Sequence, residues 1–326
     1  MSTDIPATVS AETVTSWSDD VDVTVIGFGI AGGCAAVSAA AAGARVLVLE
    51  RAAAAGGTTA LAGGHFYLGG GTTVQLATGH PDSPEEMYKY LVAVSREPDH
   101  DKIRAYCDGS VEHFNWLEGL GFQFERSYFP GKAVIQPNTE GLMFTGNEKV
   151  WPFLELAVPA PRGHKVPVPG DTGGAAMVID LLLKRAASLG IQIRYETGAT
   201  ELIVDGTGKV TGVMWKRFSE TGAIKAKSVI IAAGGFVMNP DMGAKYTRNW
   251  PRSRSCWATP TTTGWASGWV YQPAAPPNTW TRCSSRLRRT RRRSCSPASS
   301  STNSDSGSSP RTPTIPGPLG SSWTNQ

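Results

Sequence analysis

Residues 21–50 read VDVTVIGFGIAGGCAAVSAAAAGARVLVLE, and this stretch decides the fold. A short β-rich run leads into a glycine turn, an alanine-rich segment of helical character follows, and a second apolar run ends at Glu50. The spacing predicts a βαβ unit. Gly27, Gly29 and Gly32 form G-x-G-x-x-G directly after a predicted strand and at the opening of a predicted helix, the context that gives the motif meaning. Gly27 permits the tight turn, Gly29 lets the backbone approach a pyrophosphate, and Gly32 allows the helix to pack closely on the strand. Free amides and the positive end of the helix dipole then favour phosphate oxygens. Glu50 stands at the end of the second strand, where a carboxylate accepts hydrogen bonds from ribose hydroxyls and disfavours a 2′-phosphate. The bland alternative is a glycine-rich turn with no ligand; two flanking strands and an acidic end favour dinucleotide binding.

Working outward, the next segment separates two dinucleotides. Gly56-Gly57-Thr58-Thr59, Gly63-Gly64 and Gly69-Gly70-Gly71 supply many backbone positions that a ligand can approach closely, a second loop that an NAD domain does not need. Between residues 83 and 119 the pattern is helical, with Ser83, Pro84 and Glu86 at a capped start and WLEGLG closing a second helix at Gly119 and Gly121. Residues 122–172 read as loops over a pocket. A helix from about Gly174 to Leu189 precedes IQIRYETGATELIVDGTGKVTGVMWKRF and KAKSVIIAAGGF, which read as strands returning to a sheet. The fold class is α/β, a Rossmann-like FAD-binding domain over residues 21–247, incomplete as written. It follows a polar leader, residues 1–20, expected to be disordered.

Composition narrows the function classes. The 326 residues suit about two domains. No run of about 18 apolar residues exists, so no membrane span is expected. Asp4, Glu12, Asp19 and Asp20 replace the basic start of a secretory leader, which points to a cytoplasmic protein. Cys34, Cys107, Cys256, Cys283 and Cys295 are scattered and lack metal-ligand spacing, so neither a disulfide scaffold nor a metal site is indicated.

GFGIAGGCAA, LERAAAAGGTTALAGG, GATELIVDGTGKVTGV and SVIIAAGGF, in this order, resemble the flavin-domain segment of the fumarate reductase and 3-ketosteroid dehydrogenase superfamily. The resemblance covers about residues 21 to 240. It implies that Gly27, Gly29, Ala31 and Gly32 contact the pyrophosphate of FAD and Glu50 its ribose. Gly57, Thr58, Thr59, Gly63 and Gly64 would line the pyrophosphate and isoalloxazine. Ala199 would offer backbone to the adenine, and Ala233 and Gly234 would complete the site. Membrane-bound succinate dehydrogenases attach flavin through a histidine near the Thr58 and Thr59 positions; none stands there, which implies non-covalent FAD.

The activity implied is hydride exchange through flavin N5 on a C–C bond next to a carbonyl, with a side chain handling the proton. Tyr128, in ERSYFPG, sits in a loop comparable to one that carries a catalytic tyrosine in ketosteroid dehydrogenases, and the same loop favours a steroid-like or other enone over a dicarboxylate. Its bland reading is a packing aromatic. His164 and His65 read more simply as structural or solvent-facing histidines, and Cys34 as a small buried residue. The electron acceptor is not identifiable from the residues.

Residues 248–326 differ in kind. From Pro251 onward there are ten Arg and one Asp, with no Lys and no Glu, a net +9 that leaves −5 for the rest of a chain whose total is +4. Sixteen Ser, eleven Thr and ten Pro accompany two Leu, one Val and one Ile, too little apolar material to build a core. Arg286 to Arg293 suggests a patch for nucleic acid or an anionic membrane, but five Trp and three Cys beside no Lys and no Glu are odd for natural disorder. Out-of-frame translation fits better. Trp is always TGG and Ala always GCN, so Trp257-Ala258 and Trp265-Ala266 each read GGC, glycine, in the shifted frame. With plausible codons WATPTTTGWASGW becomes GNPNDDGLGIRLG, which resembles a continuation of the same superfamily. A frameshift is expected near Thr247 to Trp250, with the substrate-binding cap and its catalytic residues lost, FAD binding weak and turnover absent.

Overall fold

The computed structural model of the chain describes residues 8–133 and 136–246. In chain order these form β1 (Thr8–Ser10), β2 (Asp19–Ile26), α1 (Ile30–Ala41), β3 (Val46–Leu49), β4 (His65–Tyr67), α2 (Thr73–Ala77), α3 (Pro84–Val94), α4 (His100–Asp108) and α5 (Ser110–Gly119). There follow β5 (Tyr128–Phe129), β6 (Leu142–Met143), α6 (Phe153–Leu156), β7 (Gly163–Lys165), α7 (Gly174–Ser188), β8 (Gln192–Arg194), β9 (Gly198–Val204), β10 (Val210–Arg217), β11 (Glu220–Ile231) and α8 (Pro240–Tyr246).

Seven strands make the main sheet in the order β1-β9-β10-β11-β2-β3-β8. The run β11-β2-β3-β8 is parallel, and β9, β10 and β11 form an antiparallel meander beside it. Both faces of β3 are covered, so all four residues of its Val-Leu-Val-Leu sequence are buried. Val25, Val46 and Val48 face a core with Val37 of α1 and Val178, Ile179 and Leu182 of α7. Ile26, Leu47 and Leu49 face the other way, toward Ala199, Val213 and Ile224. β10 pairs with β11 from Glu220 to Lys225, whereas β2 pairs with it from Ile224 to Ile231. Among the described residues Ala226–Ile231 therefore has a strand neighbour on one side only. The sequence-based strands and the α7 helix are borne out, as is the α/β class.

Three expectations change. The leader was expected to be disordered, yet Thr8–Ser10 pairs in parallel with Leu202–Val204, the Ser18 amide donates to the Ala223 carbonyl at 2.8 Å, and the Trp215 indole donates to Ser18 Oγ at 3.1 Å. Short polar segments of this kind are held by backbone pairing with a sheet edge, which hydropathy does not reveal. The helical stretch from residue 84 holds three helices, broken at Pro98 and at Gly109. Ser83 caps the first through Oγ, as expected. Residues 122–172 include β5, β6 and β7, which join β4 in a second sheet of order β4-β7-β6-β5. Strands two or three residues long carry no readable period. The region expected to be out of frame lies outside the described residues.

Candidate functional site

The glycine turn between β2 and α1 is closed where packing demands it and open where a ligand must come. Gly27 has φ +96°, and a Cβ there would lie 2.7 Å from the Ala232 carbonyl oxygen. At Gly32 a Cβ would lie 1.9 Å from the Gly27 oxygen. Gly29 differs: the nearest atoms to a Cβ are Thr59 Oγ1 at 3.5 Å and the Gly56 oxygen at 3.9 Å, so one face of the turn is free. Gly29 also caps α1 with no side-chain acceptor, and the Ala31 and Gly32 amides have no acceptor among the described residues. Uncapped amides at a 12-residue helix start, reached over an open glycine, fit a diphosphate.

Glu50 closes the other end of this unit. Its carboxylate is buried and accepts from the Phe28 amide at 2.8 Å through Oε2 and from the Ala52 amide at 2.9 Å through Oε1. Each oxygen keeps a further lone pair for a ribose hydroxyl. The second loop docks on the first: the Gly56 amide donates to the Phe28 carbonyl at 2.8 Å, and Thr59 Oγ1 accepts from the Ile30 amide at 3.1 Å. Gly57, with φ +48° and nothing within 4 Å of a Cβ, is open.

The remaining candidates divide. Ala233 and Gly234 follow β11 and lie under the turn, since a Cβ on Gly27 would meet the Ala233 Cα at 3.2 Å. The Thr197 amide donates to the Glu50 carbonyl at 2.9 Å, which brings the start of β9, and Ala199 with it, beside the acidic end of β3. Gly63 and Gly64 press on the start of α7 instead: a Cβ on Gly174 would lie 2.4 Å from the Gly63 oxygen, and the Ala175 amide donates to the Ala62 carbonyl at 3.0 Å. Gly69–Gly71, expected to be open to a ligand, is not. Asp82 and Arg162 fill the space at Gly69, and Asp82 accepts from the Gly70 amide at 3.0 Å.

Tyr128 lies on β5, three strands from β4, which at strand spacing is about 14 Å. It is half-buried, its ring tilts against His80 at 4.3 Å and meets Phe144 edge-on, and its hydroxyl has no partner among the described residues. Burial raises its pKa. His164 is fully buried between Phe114 and Phe124, with Nε2 2.8 Å from the Thr72 hydroxyl, and burial pushes its pKa down to about 4. It is a neutral structural histidine. Cys34 is half-buried, and burial pushes its thiol up to about 11. No group of three or more potential metal ligands occurs among the described residues.

Residues 22–279 match the protein family described as FAD binding domain. The chain belongs to this family. The match runs past the frame break expected near Thr247 to Trp250. Urocanate reductase of Eggerthella lenta is 33% identical over 234 residues, 70% of this chain and 34% of that protein. The crystal structure of 3-ketosteroid-Δ4-(5α)-dehydrogenase from Rhodococcus jostii RHA1, in complex with 4-androstene-3,17-dione, is 40% identical with a TM-score of 0.77, covering 80% of this chain and 56% of that one. A flavocytochrome c3 fumarate reductase in its open conformation is 27% identical with a TM-score of 0.60, covering 76% of this chain and 39% of that one. The chain spans about a third of the length of the curated relatives it matches. The superfamily read from the ordered motifs is thereby borne out.

Sequence reasoning missed the polar scaffold behind this FAD-family site. Arg162 and Asp82, both fully buried, pair through two contacts of 2.8 and 2.7 Å, and Gln75 adds a bond to Asp82 at 3.2 Å. Eighty positions separate the partners in the chain, and no local spacing rule links them. No helix among the described residues is long and apolar enough to cross a membrane.

Proposed function

We propose that the chain carries the FAD-holding segment of an oxidoreductase that adds or removes hydrogen across a C–C bond next to a carbonyl. The observation that carries the reading is the pair of uncapped amides at Ala31 and Gly32, reached over open Gly29, in a turn whose Phe28 amide is held by the buried Glu50 carboxylate. In this reading Gly27, Gly29, Ala31 and Gly32 hold the pyrophosphate and Glu50 the ribose. Gly57, Thr58, Thr59, Gly63 and Gly64 extend the site toward the isoalloxazine, Ala199 meets the adenine, and Ala233 and Gly234 close the floor. FAD when bound supplies hydride transfer. Attachment is non-covalent, since neither Thr58 nor Thr59 offers a ring nitrogen.

The substrate in this reading is a steroid-like or other cyclic enone, with a dicarboxylate as the rival. The ERSYFPG loop and the 40% identity to the ketosteroid dehydrogenase structure support the former. Tyr128, on β5 about 14 Å from β4, is the proposed proton-handling group. The same reading sets the protein in the cytoplasm with an electron acceptor of unknown kind.

A second reading is a remnant that binds FAD weakly and turns nothing over. The composition after Pro251 favours it, with ten Arg, no Lys and no Glu. One experiment separates the two: titrate the purified chain with FAD by quenching of flavin fluorescence, then assay 4-androstene-3,17-dione, urocanate and fumarate with suitable redox dyes. Saturable FAD with turnover of one substrate upholds the enzyme, saturable FAD alone upholds the remnant, and no binding overturns both. Sequencing the gene across the codons for Ala244 to Cys256 tests the frame break directly.

A further inference from the structure

His65 follows Gly64 directly and opens β4. In the antiparallel β4-β7 ladder it stands opposite Lys165, so the two side chains share one face of the small sheet, while Phe66 and His164 share the other and join the aromatic core. The His65 face is polar. Lys165 is fully buried and its ammonium donates to the Asn138 carbonyl at 2.8 Å and to the Val168 carbonyl. Gln136, also fully buried, donates its backbone amide to His65 Nε2 at 3.4 Å and its side-chain amide to Glu140 at 2.6 Å. Gln136 Oε1 has no partner among the described residues.

These contacts fix the state of the imidazole. Burial first, and the Lys165 charge second, push the His65 pKa down to about 4, so the ring is neutral at pH 7. A neutral imidazole carries one N–H, and Nε2 is engaged as an acceptor, so the proton sits on Nδ1. Nδ1 has no acceptor among the described residues. A half-buried donor lacking an acceptor, one residue from Gly64, is placed to serve a ligand.

We propose that His65 donates a hydrogen bond from Nδ1–H to the isoalloxazine of bound FAD and thereby favours the reduced form of the flavin. This rests on the reading of Gly63 and Gly64 as isoalloxazine-lining residues. Ring nitrogens and carbonyl oxygens of a flavin gain electron density on reduction, so a fixed neutral donor binds the reduced ring more strongly than the oxidised one. Here Gln136 and Lys165 act as positioning residues: the first selects the tautomer, and the second adds to burial in keeping the ring uncharged.

The test uses the full chain saturated with FAD and equilibrated with a reference dye of known potential, for wild type, His65→Asn and His65→Gln. An asparagine amide reaches about as far as Nδ1 and keeps the donor; a glutamine amide reaches about as far as Nε2 and abandons it. The expected result is a preference for reduced over oxidised FAD within about threefold of wild type for His65→Asn. For His65→Gln the preference falls about tenfold, which is a drop of about 30 mV for the two-electron couple. Equal potentials in all three proteins, or a larger fall for Asn than for Gln, overturn the proposal and leave the FAD reading standing. No FAD uptake by wild type overturns both. Thermal melting of the FAD-free chains checks folding, and His65→Leu, with the same expected fall, replaces His65→Gln if that variant does not fold.

Discussion

Glu50 Oε2 accepts the amide hydrogen of Phe28 at 2.8 Å, so the end of β3 is clamped to the glycine turn that leaves the neighbouring strand β2. With Oε1 on the Ala52 amide, one carboxylate holds two loops in register before any ribose arrives. Glu50→Ala leaves two amides without their acceptor, and unfolding free energy in urea is expected to fall by about 2 kcal/mol. The FAD dissociation constant, read by fluorescence quenching, is expected to rise tenfold or more, the loss of about 1.4 kcal/mol of binding. An unchanged constant would remove Glu50 from the site.

The glycines of the turn separate folding from binding. Gly32→Ala forces a methyl to 1.9 Å from the Gly27 oxygen, and about 3 kcal/mol or more of stability is expected to disappear. Gly29→Ala meets nothing closer than 3.5 Å and has ordinary backbone angles, so its melting temperature is expected to stay close to that of wild type. Its FAD affinity is expected to drop because the methyl occupies the open face. Equal losses of stability in the two variants would contradict this division.

Acid sensitivity follows from the buried histidines. His65 and His164 both sit near pKa 4 when folded, against an ordinary value of about 6.5 when unfolded. The unfolded chain therefore binds more protons between these values, and stability is full above pH 6.5 and declines as pH falls toward 4. His164→Gln keeps an amide near the Thr72 hydroxyl and cannot ionise. The proton uptake on unfolding at pH 5, from the slope of stability against pH, is expected to fall by about one.

A different group governs the lower range. Burial pushes the Asp82 carboxyl up, but the Arg162 guanidinium, the Gly70 amide and Gln75 override it and hold the group below its ordinary value. Its contribution is present above the ordinary carboxylate range and vanishes as pH falls through the lowered value. Asp82→Asn strands Arg162 in the interior, and about 3–5 kcal/mol of stability is expected to be lost. The double variant Asp82→Leu with Arg162→Met is expected to recover only part of it, because the Gly70 amide and Gln75 still lose their acceptor, measured by chemical denaturation.

What could be read from the chain follows the range of the interactions. The β2-α1-β3 unit and the α7 helix were legible because each is a local pattern of period and glycine placement. The second loop was legible in part: Gly57 is open, but Gly69–Gly71 packs on Asp82 and Arg162, which lie 11 and more positions away. The small sheet was invisible because β5 and β6 are two residues each and gain their stability from the aromatic cluster of Phe66, Phe114, Phe122 and Phe124. His65 looked ordinary because its neighbours Gln136 and Lys165 come from distant segments.

Among the described residues β11 is paired on one side only from Ala226 to Ile231, which has a consequence for handling the protein. From Ala226 to Ile231 a row of backbone donors and acceptors faces away from β2, with Val229, Ile230 and Ile231 half-buried beside it. Such an edge is a template on which another chain can add a strand. Lys227 guards its start, bound to Asp22 at 2.8 Å, but the last four residues carry no charge. If no further segment of the chain covers this edge, self-association that rises with concentration is the expected outcome, and size-exclusion chromatography over a concentration series checks it.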